Sequence, residues 1–582
     1  MKFTGASIFD GGSRRFRESL PNHSISSITS VAIFSSERNL VAFYITQSCI
    51  MFVNYTLDDN NNHRQTLKWL AESLQLLLIS SAKTFYRASC LDFRQPPSPP
   101  PLASAAHGTS FANASFLVPS SPPHAPSILL SSPNYDQEAV EEVVNKVLSE
   151  PIRPHFAIAS IAGLFGFDLD EDEEDVLEEA RHLISRKLGS QVPVITNDAS
   201  SFGLIGRDAL SDEFKEIPFK LDDGADIIML TVGYLPGMKV TAIPLLEQNK
   251  EPEMFMIDKF VTDIREFSTS VSGRNSPAAI IMYWDNYYIG MMDVVEKMDC
   301  ALPPETVIVG DLFSEFRYTN ETDNAFAAVA LVFAVDMNKP PGIGETQFHA
   351  VVSSGLSPVG PTYTTASVNE NINNAPLIAA RREGSHENID GQIVLNQVYD
   401  ELRRDRIQSR ELYIGVRKRR KYSIGQENVG CMTSLAFHRV VESRQQRLLV
   451  FGEGIKIGDT FRFYYPDSTA AISSVAAVSS HLRSFNRGSN NATGGDKQDV
   501  FGGLIFSCCD EEFFGQPNIN ISPFVDNFPG VTLGGTFCSG VFGRGVLTPC
   551  VKESQEQKAV QCCMHTKGVV YLIMSYTPSK RI

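Results

Sequence analysis

Cysteines have the widest choice of chemistry in this chain, because a thiolate can act as a nucleophile or bind a metal ion. The chain has ten, and the adjacent pairs Cys508-Cys509 and Cys562-Cys563 lack the two-residue separation of zinc sites. Cys508 is predicted to lie at a strand end, before a loop. No His or Lys stands beside it in the sequence, and free cysteines commonly pack as small buried hydrophobes. A reactive thiol and a packing residue both stay open for Cys508.

Sequence motifs of the common enzyme classes are missing. The chain has no GxxxxGK[ST] phosphate loop, no HExxH, no GxSxG and no Cys/His metal array. The glycines at 452, 454 and 458 resemble a dinucleotide-binding loop, but their spacing is GxGxxxG and no helix is predicted to begin there. We interpret them as a turn after a strand. These absences favour a non-catalytic protein without a metal or cofactor, and an enzyme of unfamiliar type is the less favoured alternative.

The charge balance limits the partners of the chain. Its 51 basic and 67 acidic residues give a net charge of −16, which argues against a binder of nucleic acids or anionic membranes. No apolar run reaches the length of about 18 residues that a membrane span needs, and the first twenty residues lack the apolar core of a signal peptide. Sparse cysteines indicate a reducing compartment. We therefore expect a protein of the cytoplasm, the nucleus or both.

One strongly basic run stands out in this acidic chain. It consists of Arg417, Lys418, Arg419, Arg420 and Lys421. Such a run matches a short nuclear-import pattern, and it is also common at the solvated end of a strand. Both interpretations stay open.

Composition divides the first 150 residues into three segments. Residues 1–94 show weak periodicity, with one plausible helix at 65–83. Residues 95–134 contain ten prolines, too little apolar surface to offset the entropy of ordering, and are predicted to form a disordered linker. A polyproline recognition segment is the alternative. Residues 135–150 are predicted to form a leading helix, because valines recur in them at helical spacing.

From residue 151 onward, apolar strands alternate with amphipathic helices. Strands are predicted at 156–162, 278–284 and 306–309, and helices at 176–188 and 255–269. Continuous apolar strands between helices indicate sheets that helices cover. Later strands follow one another without helices. The predicted fold class is therefore α/β, with mixed and largely antiparallel sheets covered by helices.

Several motifs in this region resemble the FIST domain. Those similar to its N-terminal half lie at 154–160, 203–206, 234–245, 276–281 and 357–361, and those similar to its C-terminal half lie at 458–462, 503–508, 528–537 and 540. The resemblance covers about residues 151–576. It implies a two-part region with an N-terminal half at 151–393 and a C-terminal half at 394–578.

The resemblance also supplies an expected function. FIST domains are thought to be sensory or ligand-binding modules, with small molecules such as amino acids as proposed ligands. In eukaryotes the domain commonly follows an F-box, which makes the protein a substrate receptor of a cullin-type ubiquitin ligase. The expected partners are then protein clients, the ligase adaptor and the cullin. A small-molecule sensor without ligase coupling is the alternative.

Two features depart from the pattern of this family. An F-box is a three-helix segment that opens on Leu-Pro, whereas Leu20-Pro21 is followed here by Ser-rich sequence. The family also tends to have Gly-Glu after the turn at Cys538, where this chain has Gly540-Val541. We therefore expect no F-box, weak or absent adaptor binding, and a pocket without the family's carboxylate.

A candidate ligand site follows from the expected division of this region into an N-terminal and a C-terminal half. Glycines and strand ends let a backbone approach a ligand closely, and clefts commonly form where domains meet. The sequence therefore predicts a glycine-lined cavity between the two halves, touched by Gly203, Gly206, Cys508, Phe537 and Gly540.

Overall fold

The chain folds as two compact units, Met1–Pro100 and Pro101–Ile582. The computed structural model describes residues 28–35, 39–46, 50–56, 127–132, 143–147 and 153–162 and, with short gaps, residues 176–579.

Strands make up the described part of the first unit. They are β1 (Ile28–Ser35), β2 (Asn39–Thr46) and β3 (Ile50–Thr56), paired in this order as an antiparallel sheet. The helix predicted for 65–83 lies outside the described residues.

The second unit contains the remaining described strands. Up to residue 354 they are β4 (Ser127–Ser132), β5 (Phe156–Ala162), β6 (Val194–Asp198), β7 (Gly203–Arg207), β8 (Phe214–Pro218), β9 (Asp226–Gly233), β10 (Met238–Leu246), β11 (Ala279–Trp284), β12 (Val307–Leu312), β13 (Phe316–Tyr318), β14 (Phe326–Val335) and β15 (Glu345–Ser354). The later strands are β16 (Leu356–Asn369), β17 (Leu377–Arg382), β18 (Asn388–Ile389), β19 (Leu412–Ile424), β20 (Glu427–Arg444), β21 (Arg447–Phe451), β22 (Thr460–Pro466), β23 (Asp499–Ser507), β24 (Thr532–Phe537), β25 (Val541–Arg544), β26 (Val546–Leu547), β27 (Val560–His565) and β28 (Gly568–Thr577).

The helices form where apolar residues recur every three or four positions. In the helix of residues 254–272, for example, Met256, Phe260 and Ile264 are buried on one stripe. The described helices are α1 (residues 143–147), α2 (Val176–Leu188), α3 (Met254–Ser272), α4 (Met291–Ala301), α5 (Gly391–Arg404), α6 (Ser468–Asn491), α7 (Glu511–Phe514) and α8 (Ser522–Val525). Of these helices, none is long and apolar enough to cross a membrane.

Among the described residues, the strands of the second unit form sheets of 13, seven and five strands. The 13-stranded sheet has the order β10-β14-β11-β12-β25-β27-β20-β19-β22-β16-β17-β18, with β21 paired to both β17 and β20. The seven-stranded sheet has the order β26-β15-β28-β23-β24-β7-β8, and the five-stranded sheet β13-β6-β5-β9-β4. Most neighbouring strands are antiparallel, which confirms the predicted fold class.

Part of the large sheet closes on itself. The strands β16, β17, β21, β20, β19 and β22 pair in a ring, each antiparallel to the next. This ring of six strands is a small barrel. Its residues Ile414 and Phe461 belong to the same apolar core as Val394 and Val398 of α5. Closure removes the free edges that these strands would otherwise expose.

The three sheets of the second unit share one inner core. It contains Phe156 from the five-stranded sheet, Val309 from the 13-stranded sheet and Leu504 from the seven-stranded sheet. Helices cover other sheet faces: α3 and α4 pack on the 13-stranded sheet, α6 on the seven-stranded sheet, and α1 and α2 on the five-stranded sheet. This explains why strands such as β14 are buried on both faces.

The predicted linker at 95–134 is wrong at its C-terminal end. Ser127–Ser132 forms strand β4, which pairs with β9 as an edge of the five-stranded sheet. The apolar run Ile128-Leu129-Leu130 is strand-forming, and β9 offers it an open edge. Residues 95–126 lie outside the described residues.

The segments 203–206 and 357–361 contain glycines and prolines that locally favour turns, but both lie in strands. Gly203–Arg207 pairs with β8 and β24, and residues 357–361 belong to β16, with a register shift between Val359 and Thr362. Glycine disfavours a strand only weakly, so long-range pairing outweighs it here.

The two predicted halves are not separate bodies. Strand β12 of the first half pairs with β25 of the second, β7 pairs with β24, and β15 pairs with β28. A cavity between the halves would therefore lie inside one compact unit rather than in a cleft between two domains.

Candidate functional site

The carboxyl ends of three parallel strand pairs meet in the second unit. The pairs are β5 with β6, β11 with β12, and β23 with β24. Three hydrogen bonds join their ends: Asn197 Nδ2 donates to Ser314 Oγ (3.2 Å), Leu312 N to the Gly540 carbonyl (2.9 Å), and Cys538 N to the Ser507 carbonyl (2.8 Å). Ligands of α/β proteins commonly bind beyond the carboxyl ends of parallel strands, so this region is the candidate site.

Polar side chains lie inside the protein at this place. Tyr283, Asp311 and Val541 occupy matching positions on the neighbouring strands β11, β12 and β25, and His565 follows on β27. Residues directly opposite each other on paired strands point to the same face of a sheet. We call Tyr283, Asp311, His565, Cys508 and Cys538 the interior polar cluster.

Asp311 is the acidic member of this cluster. It is 3% exposed, and burial raises the pKa of its carboxyl well above the usual range, with the nearby charge of Asp198 acting in the same direction. Burial therefore favours the protonated form of the carboxyl. Its Oδ1 atom is buried and has no hydrogen-bond partner among the described residues.

His565 is the basic member, and it is neutral. Burial lowers the pKa of its imidazole to about 4. Among the residues that the structure describes, neither ring nitrogen has a hydrogen-bond partner. The ring packs beside Phe437, with 6.0 Å between the ring centroids. Unpaired buried groups of this kind are rare, and each one needs an explanation.

Cys508 lies at the solvent side of the cluster. It is half-buried, and its thiol donates a hydrogen bond to the His565 carbonyl oxygen at 3.3 Å. Burial raises the pKa of the Cys508 thiol well above its usual range. The thiol is therefore uncharged at neutral pH, which favours the packing role over the reactive one.

Comparison with known proteins identifies the family. No family model matches the chain. An F-box/LRR-repeat protein of Arabidopsis thaliana is 38% identical to it over 472 residues, which cover 77% of this chain and 85% of the relative. The chain belongs to this F-box protein family. Across the described residues, the family member forms packed sheets and helices rather than a stack of short leucine-rich repeats.

In this F-box-family protein two of the predicted site residues, Gly203 and Phe537, lie on paired strands. Leu204 is opposite Thr536 in an antiparallel pair, which places Gly203 beside Phe537, and Phe537 is in turn beside Ser507 at the end of β23.

Cys508 and Gly540 immediately follow β23 and precede β25 at this end of the sheets. Gly206 lies three residues further along β7, roughly 10 Å from Gly203. Phe537 belongs to the apolar core under α6 rather than to the inner core. No measured contact shows that the five residues line one cavity, so the shared site stays a prediction.

Sequence reasoning missed Tyr283, Asp311 and His565. The signal for Asp311 was a single carboxylate in an apolar strand, but the strand predicted at 306–309 ended before it, whereas β12 extends to Leu312. No local pattern marks His565, because its burial depends on β25 and β20. Val541 occupies the place of the family's carboxylate, between Asp311 and His565.

The basic run of this F-box-family protein lies in strand β19. Arg417 is half-buried, whereas the Lys418 side chain is fully buried and lies 3.6 Å from the Glu296 carboxylate. An import receptor binds exposed cations, so Lys418 is out of its reach in the folded state. The import role of the run stays a prediction. Within the described residues, no group of three or more His, Cys, Asp or Glu side chains could hold a metal ion.

The buried thiol gives a first testable prediction. In the native full-length chain, Cys508 should react with iodoacetamide at least about tenfold more slowly than in the urea-denatured chain, because its raised pKa leaves little thiolate. The rate should stay low up to about pH 9. Mass spectrometry of the peptide that contains Cys508 measures both rates. Equal rates in the two states would show that the thiol is accessible and ionised.

Proposed function

We propose that the chain is a non-catalytic recognition protein related to the substrate receptors of cullin-type ubiquitin ligases, which promote ubiquitin-dependent degradation of protein clients. The observation that carries the proposal is the 38% identity to an F-box/LRR-repeat protein over 472 residues. The resemblance of residues 151–576 to a FIST domain adds a second line of support. It assigns client recognition to the second unit.

The chemistry of the interior polar cluster agrees with binding rather than catalysis. Covalent catalysis needs an activated nucleophile, and general acid–base catalysis needs groups that titrate near the working pH. Burial raises the pKa of Asp311 and Cys508 and lowers that of His565. For each of the three groups burial favours the uncharged form, and the raised pKa of Cys508 leaves it without an activated thiolate.

Docking to the ligase adaptor is the weaker part of the proposal. A stable interface buries on the order of 1,200–2,000 Å² in total, and an F-box supplies this area from three helices. In this chain Leu20-Pro21 is followed by Ser-rich sequence rather than by the Leu/Ile-rich helices of an F-box. We therefore expect this chain to bind the adaptor weakly or not at all, and to retain recognition of clients.

A pull-down with the full-length tagged chain tests both parts. Purified adaptor and cullin are offered first, with the Arabidopsis relative as the matched control for adaptor binding. Bound proteins from a cell extract are then identified by mass spectrometry and offered to a reconstituted ligase. Clients bound without adaptor or cullin would support the proposal. Co-purification of adaptor and cullin would restore a complete receptor, and loss of both clients and adaptor would overturn the proposal.

A small-molecule sensor without ligase coupling is the second candidate function. One observation favours it: Asp311 Oδ1 and both ring nitrogens of His565 are buried without hydrogen-bond partners among the described residues. A bound molecule would supply such partners. On this reading the second unit responds to a ligand, and the ligase is not required.

A further inference from the structure

The unpaired groups of the interior polar cluster indicate an occupant. Buried polar atoms in folded proteins are paired with protein, water or ligand in the great majority of cases. Asp311 and His565 are 3% and 2% exposed, so bulk solvent does not satisfy them. Within the part of the chain that the structure describes, Asp311 Oδ1 and the two imidazole nitrogens of His565 have no hydrogen-bond partner.

Tyr283 and Asp311 are neighbours on one face of the 13-stranded sheet. They are partners in the parallel register of β11 and β12 and therefore share one face. Tyr283 is 1% exposed, and burial raises the pKa of both side chains well above the usual range, which favours the protonated forms that can donate hydrogen bonds. A tyrosine hydroxyl and a protonated carboxyl on one face of an apolar site are suited to hold an oxygen atom that accepts two hydrogen bonds.

The surroundings of these two groups are apolar. Val309, Leu504 and Phe506 belong to the same inner core, and the Phe506 ring lies 6.3 Å from the Tyr283 ring, between centroids. Transfer of an unpaired charge into such a core is costly. Among the described residues, the groups that act on the pKa of Asp311 are Asp198 and Cys538, and neither could offset a negative charge on a ligand. The site therefore suits an uncharged molecule.

We propose that the interior polar cluster binds a small, uncharged and mainly apolar molecule through a hydrogen-bond-accepting oxygen, as in a phenol or a cyclic ketone, held by Tyr283 and Asp311. His565 lies two strands beyond Asp311, roughly 10 Å away, and offers one donor and one acceptor to the far end of the molecule. The proposal does not depend on ligase coupling, so it can stand or fall apart from the proposed function.

Binding of 4-nitrophenol to the full-length chain tests the proposal at a pH well below the pKa of this phenol, where the probe is uncharged and its absorbance changes with its hydrogen bonding. Wild-type protein should give a saturable change, and cyclohexanone should reverse it. Tyr283→Phe keeps the ring and removes only the hydroxyl, and it should weaken binding about tenfold. Asp311→Leu should weaken it at least as much.

Tyr465→Phe is the matched control. Its hydroxyl lies 3.4 Å from Asp467 Oδ2, outside the cluster, and the affinity should stay unchanged. If Asp311→Leu fails to fold, the affinity of Tyr283→Phe for the probe still tests the proposal. No saturable signal with wild-type protein, or equal affinity of wild type and Tyr283→Phe, would overturn the proposal and leave ordered water as the partner of the unpaired groups.

Discussion

Arg544→Ala should lower the free energy of unfolding of the second unit by about 3–5 kcal/mol. The guanidinium is 3% exposed and lies 2.8 Å from Asp299 Oδ1, measured from Nε. It also donates hydrogen bonds to the carbonyl oxygens of Asp299 (2.8 Å), Leu302 (2.9 Å) and Pro303 (3.0 Å), at and just beyond the C-terminus of α4. The alanine variant leaves a buried carboxylate without its counter-charge.

Urea unfolding of the full-length chain, followed by tryptophan fluorescence, measures this loss. Trp284 is buried in the core beneath α4 and reports on it. Arg403→Ala is the matched control, because Arg403 pairs with Asp400 on the surface, with side chains 75% and 63% exposed. Its effect should be within about 0.5 kcal/mol. An Arg544→Ala midpoint equal to that of the control would contradict the assigned role.

Lys418→Met should cost a similar amount, about 3–5 kcal/mol. Lys418 on β19 and Glu296 on α4 form an ion pair of 3.6 Å, and their side chains are 0% and 5% exposed. Removal of the cation takes an ion-pair partner away from the buried Glu296 side chain. The double variant Lys418→Met with Glu296→Leu should recover most of the loss, because two apolar side chains can replace a buried pair.

Lys239→Met is the control for this prediction. Lys239 also lies 3.6 Å from a carboxylate, that of Asp336, but it is 54% exposed, so its loss should cost less than about 1 kcal/mol. The same urea titration measures the wild-type protein, Lys418→Met, the double variant and Lys239→Met. Equal effects of Lys418→Met and Lys239→Met would show that burial of the pair is unimportant. A large effect would also explain why this lysine belongs to the fold rather than to an import signal.

Local pattern was enough to predict many of the individual elements. The strand Phe156–Ala162 and the helix Val176–Leu188 have the predicted bounds. Each is a continuous apolar run or an amphipathic stripe whose ends are set by nearby polar, proline or glycine residues. The fold class follows from the same signals.

Local pattern could not predict which strands pair with each other. The strand at 203–207 contains two glycines, which favour a turn in the local sequence. It is nevertheless a strand, because β24 and β8 pair with it. Ring closure of the barrel depends on β21 pairing with both β17 and β20, although β17 is about 70 residues away in the sequence. Such contacts bring together residues that no window of sequence contains.

The residues of the candidate site were also predicted only in part from the sequence. The sequence by itself determined an acidic chain with an α/β fold and motifs that resemble a FIST domain, and it indicated Cys508 and Gly540 as candidate site residues. Only the tertiary structure placed Asp311, Tyr283 and His565 on one buried face. The physical reason is that a residue type fixes which hydrogen bonds a side chain can form, whereas the packing of distant strands decides whether water, protein or a ligand can supply them.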